Sequence, residues 1–197
     1  MEKFMKINQL YIWSLLFVLL FGACEQTPEE QYLSLESDEL ATKVRHDKLF
    51  KGLYLGMKDS TFFDFCLKKN IHKDFFQGGQ KNSAWITTKI QVPNRKTLEI
   101  NFFPTFKAQK IAEVNSAFYY QDAVAWKVGA SNDKLLSDVI QLLESWYQRK
   151  FIKINSPYFF KNDVFVTVRG NCRIVVSEEA QSNVINVRFI DLLAPKQ

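Results

Sequence analysis

Twice along this chain the spacing of apolar residues switches from helical to alternating, and few architectures accept that order. Behind Asp59, a side chain able to cap a helix, Phe62, Phe63, Cys66 and Leu67 recur at helical intervals to about Lys69. Past Gly78-Gly79 the period drops to two. Ala84, Ile86, Thr88, Ile90 and Val92 alternate with Trp85, Thr87, Lys89 and Gln91, which predicts a strand. Residues 93–96 read as a turn, Leu98, Ile100 and Phe102 line a returning strand, and a third strand over about 110–120 places Ala112, Val114, Phe118 and Tyr120 on one side. The order then repeats. Ser131 or Asn132 opens a helix to about Arg149 with the stripe Leu135, Val139, Leu142, Leu143 and Trp146. Strands over 164–169 and 172–177 flank Gly170-Asn171, a two-residue hairpin loop, and Ile185, Val187 and Phe189 alternate in a last strand ending near Leu192. The expectation is an α+β domain over 48–192, made of two successive helix-then-antiparallel-meander units, 48–122 and 131–192, with the helices packed on one face of the sheet.

One hairpin strains that scheme. Over 164–177 Val164, Val166, Val168 and Val175 fall on one face, and Phe165, Ile174 and Val176 on the other. Such a hairpin is either covered twice or carries an exposed apolar patch. The tryptophans divide similarly. Trp146 shares the helical stripe and reads as core, Trp85 points away from the apolar side of its strand, and Trp126 falls in the connector between the units. Trp85 and Trp126 are therefore the candidate binding-surface residues. Cys66, inside the apolar run over 62–67, reads as a small buried hydrophobe; in an oxidising compartment Cys66 and Cys172 could pair, and two unpaired cysteines are the favoured reading.

Ahead of the domain, Lys3 and Lys6 precede an apolar run over 10–20 that ends in Phe21-Gly22-Ala23-Cys24. Charge, short apolar core and small residues are the parts of a secretory signal peptide, here 1–23, and the run is shorter than the ~20 residues that span a bilayer. Leu20-Phe21-Gly22-Ala23-Cys24 resembles the lipobox of bacterial prolipoproteins, with Phe21 standing where Leu, Val or Ile is usual. The resemblance implies a diacylglyceryl group on the Cys24 thiol, cleavage before it, and a membrane partner held through that lipid; two or three acyl chains make such an anchor stable. It also implies an outer-membrane destination, on the periplasmic face or the cell surface, because Glu25 stands where the inner-membrane retention signal would put Asp. Residues 24–47 read as a lipidated tether, polar over 25–36, with a short helix from Ser37 to about His46. With so few apolar residues the tether is expected to be dispensable to the core.

Cleavage would leave 24 basic and 20 acidic residues and fifteen phenylalanines, ample for a core. The basic residues are scattered, and with export this argues against a nucleic-acid partner. His46 and His72 lack metal-ligand spacing, and no nucleophile elbow, P-loop or dinucleotide fingerprint occurs, so neither a metal nor a cofactor is expected. Acidic pairs formed only by the fold, among which Asp122 and Asp163 lie at element ends, leave an envelope hydrolase as a third-ranked reading.

The segment Phe50-x-Gly52-Leu53-x-Leu55-Gly56-Met57, leading into a capped helix and then long strands, resembles the opening of small α+β lipoproteins. The shapes it is similar to are the small lipoprotein of the β-barrel assembly machinery (BamE-like) and the tandem-repeat β-lactamase inhibitor protein. Lys58 departs from the Ser or Thr those families place after Gly-Met, so the cap moves to Asp59 or Ser60. The resemblance implies a non-enzymatic domain that binds a protein partner in the cell envelope through an exposed sheet face. The alternative is a glycan-binding surface lipoprotein presenting flat aromatics.

Overall fold

Thr27 and Glu30 close a capping box: the Thr27 amide donates to Glu30 Oε2 at 2.9 Å and Thr27 Oγ1 accepts the Glu30 amide at 3.2 Å. Pro28 occupies the first helical position, where its missing N–H costs nothing. Helix α1 therefore runs Pro28–Ala41, and most of the stretch expected to be tether is helical, with Ser37 in mid-helix rather than at a cap. The structure, a computed structural model, describes residues 26–77, 85–92, 97–121, 132–155, 163–178 and 183–195. The expected signal peptide, Cys24, Gly78-Gly79, the 93–96 turn, Asp122 and Trp126 lie outside the described residues.

After α1 come α2 (Asp59–Ile71), β1 (Phe75–Gln77), β2 (Ile86–Gln91), β3 (Thr97–Lys107) and β4 (Lys110–Tyr120). Then follow α3 (Asn132–Tyr147), β5 (Ile152–Ile154), β6 (Val164–Arg169), β7 (Cys172–Glu178) and β8 (Ile185–Asp191). The strands form one antiparallel sheet in the order β1-β2-β3-β4-β8-β7-β6-β5. Four strands, not three, follow each of α2 and α3, because three-residue edge strands too short for a periodic signal precede each hairpin. The two sets meet through β4 and β8, with Glu113 opposite Ile190 and Phe118 opposite Ile185.

The α+β class holds, but the helices are not on one face. Segment 49–57, α2 and α3 cover a face built from Leu98, Ile100, Phe102, Phe118, Ile174, Val176, Val187 and Phe189. Helix α1 lies on the other face, against β5 and β6, where Tyr32 and Leu35 pack on Ile154, Val164, Val166, Val168 and Val175. The two-sided hairpin is thus covered twice. A first helix with so few apolar residues is sufficient because ion pairs fasten its other turns. Glu36 and the Tyr32 hydroxyl meet Arg173, and Glu39 meets Arg149 at 2.5 Å.

Glu39 also accepts the Gly170 amide at 2.6 Å, which fixes the carboxyl end of α1 at the β6–β7 turn. A polar knot continues from there. Asn171, fully buried, donates to Asp47 and to Asp191 at 2.9 Å each and accepts the His46 amide at 2.7 Å. Arg45 bonds both of those carboxylates.

In α3 the stripe Leu135, Val139, Leu142 and Leu143 is buried as expected, with Tyr147 completing it. Trp146 is only half-buried, flanking Phe50 at 6.3 Å between ring centres, a correction that one position of helical rotation explains.

Candidate apolar binding surface

Three Phe-Phe pairs, Phe62-Phe63, Phe75-Phe76 and Phe102-Phe103, determine the main surface feature. Neighbouring side chains point to opposite faces of a strand and lie about 100° apart on a helix, so one ring of each pair enters the core and the other cannot. Phe62, Phe75 and Phe102 are buried. Phe63, Phe76 and Phe103 are 66%, 39% and 41% exposed. The outward three converge with Trp85, itself 36% exposed, on an open groove of about 570 Å³ at the β1 edge of the sheet.

Helix α2 supplies one wall. Its inward stripe is Phe62 with the half-buried Phe65 and Cys66, while Phe63, Leu67 and Ile71 make a second, exposed stripe at i, i+4, i+8. Phe63 and Leu67, expected to share the buried side, are thus on the solvent side. Nor does a side chain cap this helix: Lys58 is the N-cap residue, and Asp59 Oδ1 accepts only its neighbour's amide, from Ser60. The groove floor continues into the core through edge-on aromatic contacts, Phe62 to Phe106 at 5.7 Å and Phe75 to Phe102 at 5.2 Å.

Polar groups are scarce in the groove. Asn70 and Gln77 line it, and Asn70 already donates to the Phe75 carbonyl at 3.0 Å. Lys69 pairs with Asp74 at 3.0 Å and holds that carboxyl below its usual range, its charge lying 5.8 Å from the Phe65 ring centre. A surface of this kind takes up apolar side chains. A sugar would find almost nothing to hydrogen-bond.

A larger cleft of about 760 Å³ opens beside Phe50, Lys48, Lys51, Trp146 and Arg169. Three of its polar members have structural duties: Arg169 donates to the Tyr147 carbonyl at 2.8 Å, closing the carboxyl end of α3, and Asp47 is held by Arg45 and Asn171. His46 lines this cleft, whereas His72 is the C-cap of α2, and among the described residues no group of three His, Cys, Asp or Glu gathers that could hold a metal. Asp163 is exposed ahead of β6.

Both described cysteines are free. Burial pushes the Cys66 thiol up to about 11, and burial with Asp191 and Asp47 nearby pushes Cys172 up to about 12. The thiolate is the nucleophile, so at pH 8 both are expected to alkylate slowly in the folded protein and rapidly in urea. Timed iodoacetamide labelling with mass spectrometry checks this, Cys172 being the slower because it is fully buried.

Trp85 is the predicted surface residue that the structure places in the groove. Phe63, Leu67, Phe76 and Phe103 were missed, although the doubled phenylalanines were a legible signal that one ring of each pair must face outward. Comparisons with protein-family models, with curated proteins and with solved structures find no match to this chain.

Proposed function

We propose that this chain is a lipid-anchored exported protein of the cell envelope, acylated on Cys24, whose non-catalytic α+β domain binds a protein partner through the groove around Trp85. The carrying observation is the convergence of Phe63, Phe76, Phe103 and Trp85 on one open groove. Scattered exposed hydrophobics are ordinary, whereas several large ones meeting in a concavity mark an interaction site. The lipobox ending at Cys24 supports the anchor and the outer-membrane destination. The scarcity of free polar groups favours a protein over a glycan. Reading the domain as two successive helix-then-strand units, with kinship in shape to BamE-like and inhibitor-like proteins, is supported by the element order and the central β4–β8 pairing.

Trp85→Ala is expected to cost less than ~1 kcal/mol in urea melts, as exposed substitutions do, while Leu143→Ala, in the core, costs ~2–5 kcal/mol. The Trp85 variant should nevertheless lose a partner that co-purifies with the wild type from detergent-solubilised membranes. Cys24→Ser should fractionate as soluble and take up no labelled palmitate. A Trp85 variant that keeps the partner defeats the binding-surface assignment, and a soluble wild type defeats the anchor.

A further inference from the structure

The cleft of about 760 Å³ beside Phe50 shares no residue with the groove at Trp85. One side is a tight hairpin, in which Lys48 bridges to Tyr54 and the Leu53 amide donates to the Phe50 carbonyl at 2.9 Å. Lys51 and Gly52, at φ +53° and +89°, are its two turn residues. Arg45, Lys48, Lys51 and Arg169 line the cleft, against Asp47 and, behind Arg45, Asp191. Four cations and two carboxylates leave an excess of two positive charges. Arg45 bonds both carboxylates itself. Lys48 and Lys51 enter no ion pair among the described residues. Lys51 acts on Asp74 only at longer range, Lys69 being the closer partner at 3.0 Å.

The other side is the carboxyl end of α3. Its negative dipole end would repel an anion, but Arg169 answers it by spending one N–H on the Tyr147 carbonyl. The remaining guanidinium N–H groups make no further hydrogen bond among the described residues, and they form a planar fork suited to phosphate or carboxylate. Trp146, half-buried, brings aromatic area. Its ring lies 6.3 Å from that of Phe50 and is tilted from it by 32°, and its indole N–H has no partner among the described residues.

We propose that this cleft is a second binding site, for a small organic anion: a phosphate or carboxylate carried on a flat ring. It does not depend on the groove or on what the groove binds. The anionic group takes charge-assisted hydrogen bonds from Lys48, Lys51 and the Arg169 fork, while the ring packs beside Trp146. A bare ion would leave the aromatic wall in water, and a neutral ring would leave the charges unanswered. The volume falls within the roughly 300–1,000 Å³ of small-molecule sites. Lys51 allows a test that spares the fold. Asn suits the left-handed first position of a two-residue turn better than Lys, so Lys51→Asn removes a charge while the urea midpoint stays level or rises.

Isothermal titration calorimetry at two temperatures tests this on the full chain in non-ionic detergent, with phenyl phosphate, benzoate, inorganic phosphate and phenol as probes. Phenyl phosphate or benzoate is expected to bind one to one with a Kd below ~1 mM. Inorganic phosphate and phenol should bind about tenfold more weakly, each lacking half of the contacts. Lys48→Gln combined with Lys51→Asn should weaken the aromatic anion by about tenfold, and Lys48→Arg should retain it. Trp85→Ala should leave it unchanged. Equal affinity for phenol would show an apolar crevice, and equal affinity for inorganic phosphate a plain surface contact with an anion. Loss of binding in Trp85→Ala would place the ligand in the groove. Each of these overturns the inference, as does full affinity in the double lysine variant or the failure of both aromatic anions to bind. The partner-binding reading rests on other residues and stands or falls by its own experiment.

Discussion

A chain that starts at Lys48 is expected to lose cooperative unfolding and to aggregate. Removing α1 takes away the burial of Tyr32 and Leu35 and opens Ile154, Val164, Val166, Val168 and Val175 to water from one side. Burying one large apolar side chain contributes ~1.5–3 kcal/mol, so partial exposure of this group amounts to several kcal/mol. The truncation also deletes Glu39, leaving Arg149 without its carboxylate and the Gly170 amide without its acceptor. It deletes the Arg45, His46 and Asp47 partners of buried Asn171 and Asp191 as well. Leaving buried polar groups unpaired costs ~1–3 kcal/mol each. The total is comparable with the ~5–15 kcal/mol by which whole domains are stable. Size-exclusion chromatography and urea melts of residues 48–197 decide it: a monomer with an unchanged urea midpoint would show that α1 is an appendage. Tyr32→Ala in the intact chain gives a graded control, expected to cost ~3 kcal/mol.

Gly170→Ala is expected to destabilise by ~3 kcal/mol or more. Gly170 has φ +55° at the first position of the β6–β7 turn, the left-handed conformation that favours glycine. That alone would cost ~1 kcal/mol. The greater part is space. An added Cβ would fall on the Val44 carbonyl oxygen and lie 2.9 Å from His46 Cδ2, so the backbone of 44–46 would have to move. Moving it strains the Glu39–Gly170 and His46–Asn171 hydrogen bonds together. Gly52 separates the two contributions. Its φ is +89°, but a Cβ there meets only the Phe65 ring edge at 3.5 Å, so Gly52→Ala should cost ~1 kcal/mol. Equal losses at the two glycines in chemical denaturation would show that conformation alone decides and that the close approach of 44–46 contributes nothing.

The long strands and α3 were legible because each carries a periodic signal over six or more residues, as in Leu98-x-Ile100-x-Phe102 and Leu135 through Leu143. The edge strands β1 and β5 were not, since three residues cannot establish a period. The start of α1 was legible in principle: Thr27-Pro28-Glu29-Glu30 spells a capping box, but the polar run that follows has no apolar stripe to announce a helix. Helix α1 is held by Glu36 and Glu39, whose partners Arg173, Arg149 and the Gly170 amide lie more than a hundred residues away. Local sequence carries no trace of such pairings.

What the sequence by itself determined is the alternation of side chains, and with it the α+β class, the inward-facing Ile100, Phe102 and Val187, and the outward turn of Trp85. Those follow from backbone geometry, which fixes where neighbouring side chains point whatever lies beyond them. Which outward faces are then covered was decided only by the tertiary structure. Val166 and Phe103 stand in the same row on the same face, yet Val166 is buried beneath α1 and Phe103 faces the groove. The difference is made by a helix from the far end of the chain whose position depends on charge pairs across the sheet, a long-range condition that periodicity does not contain.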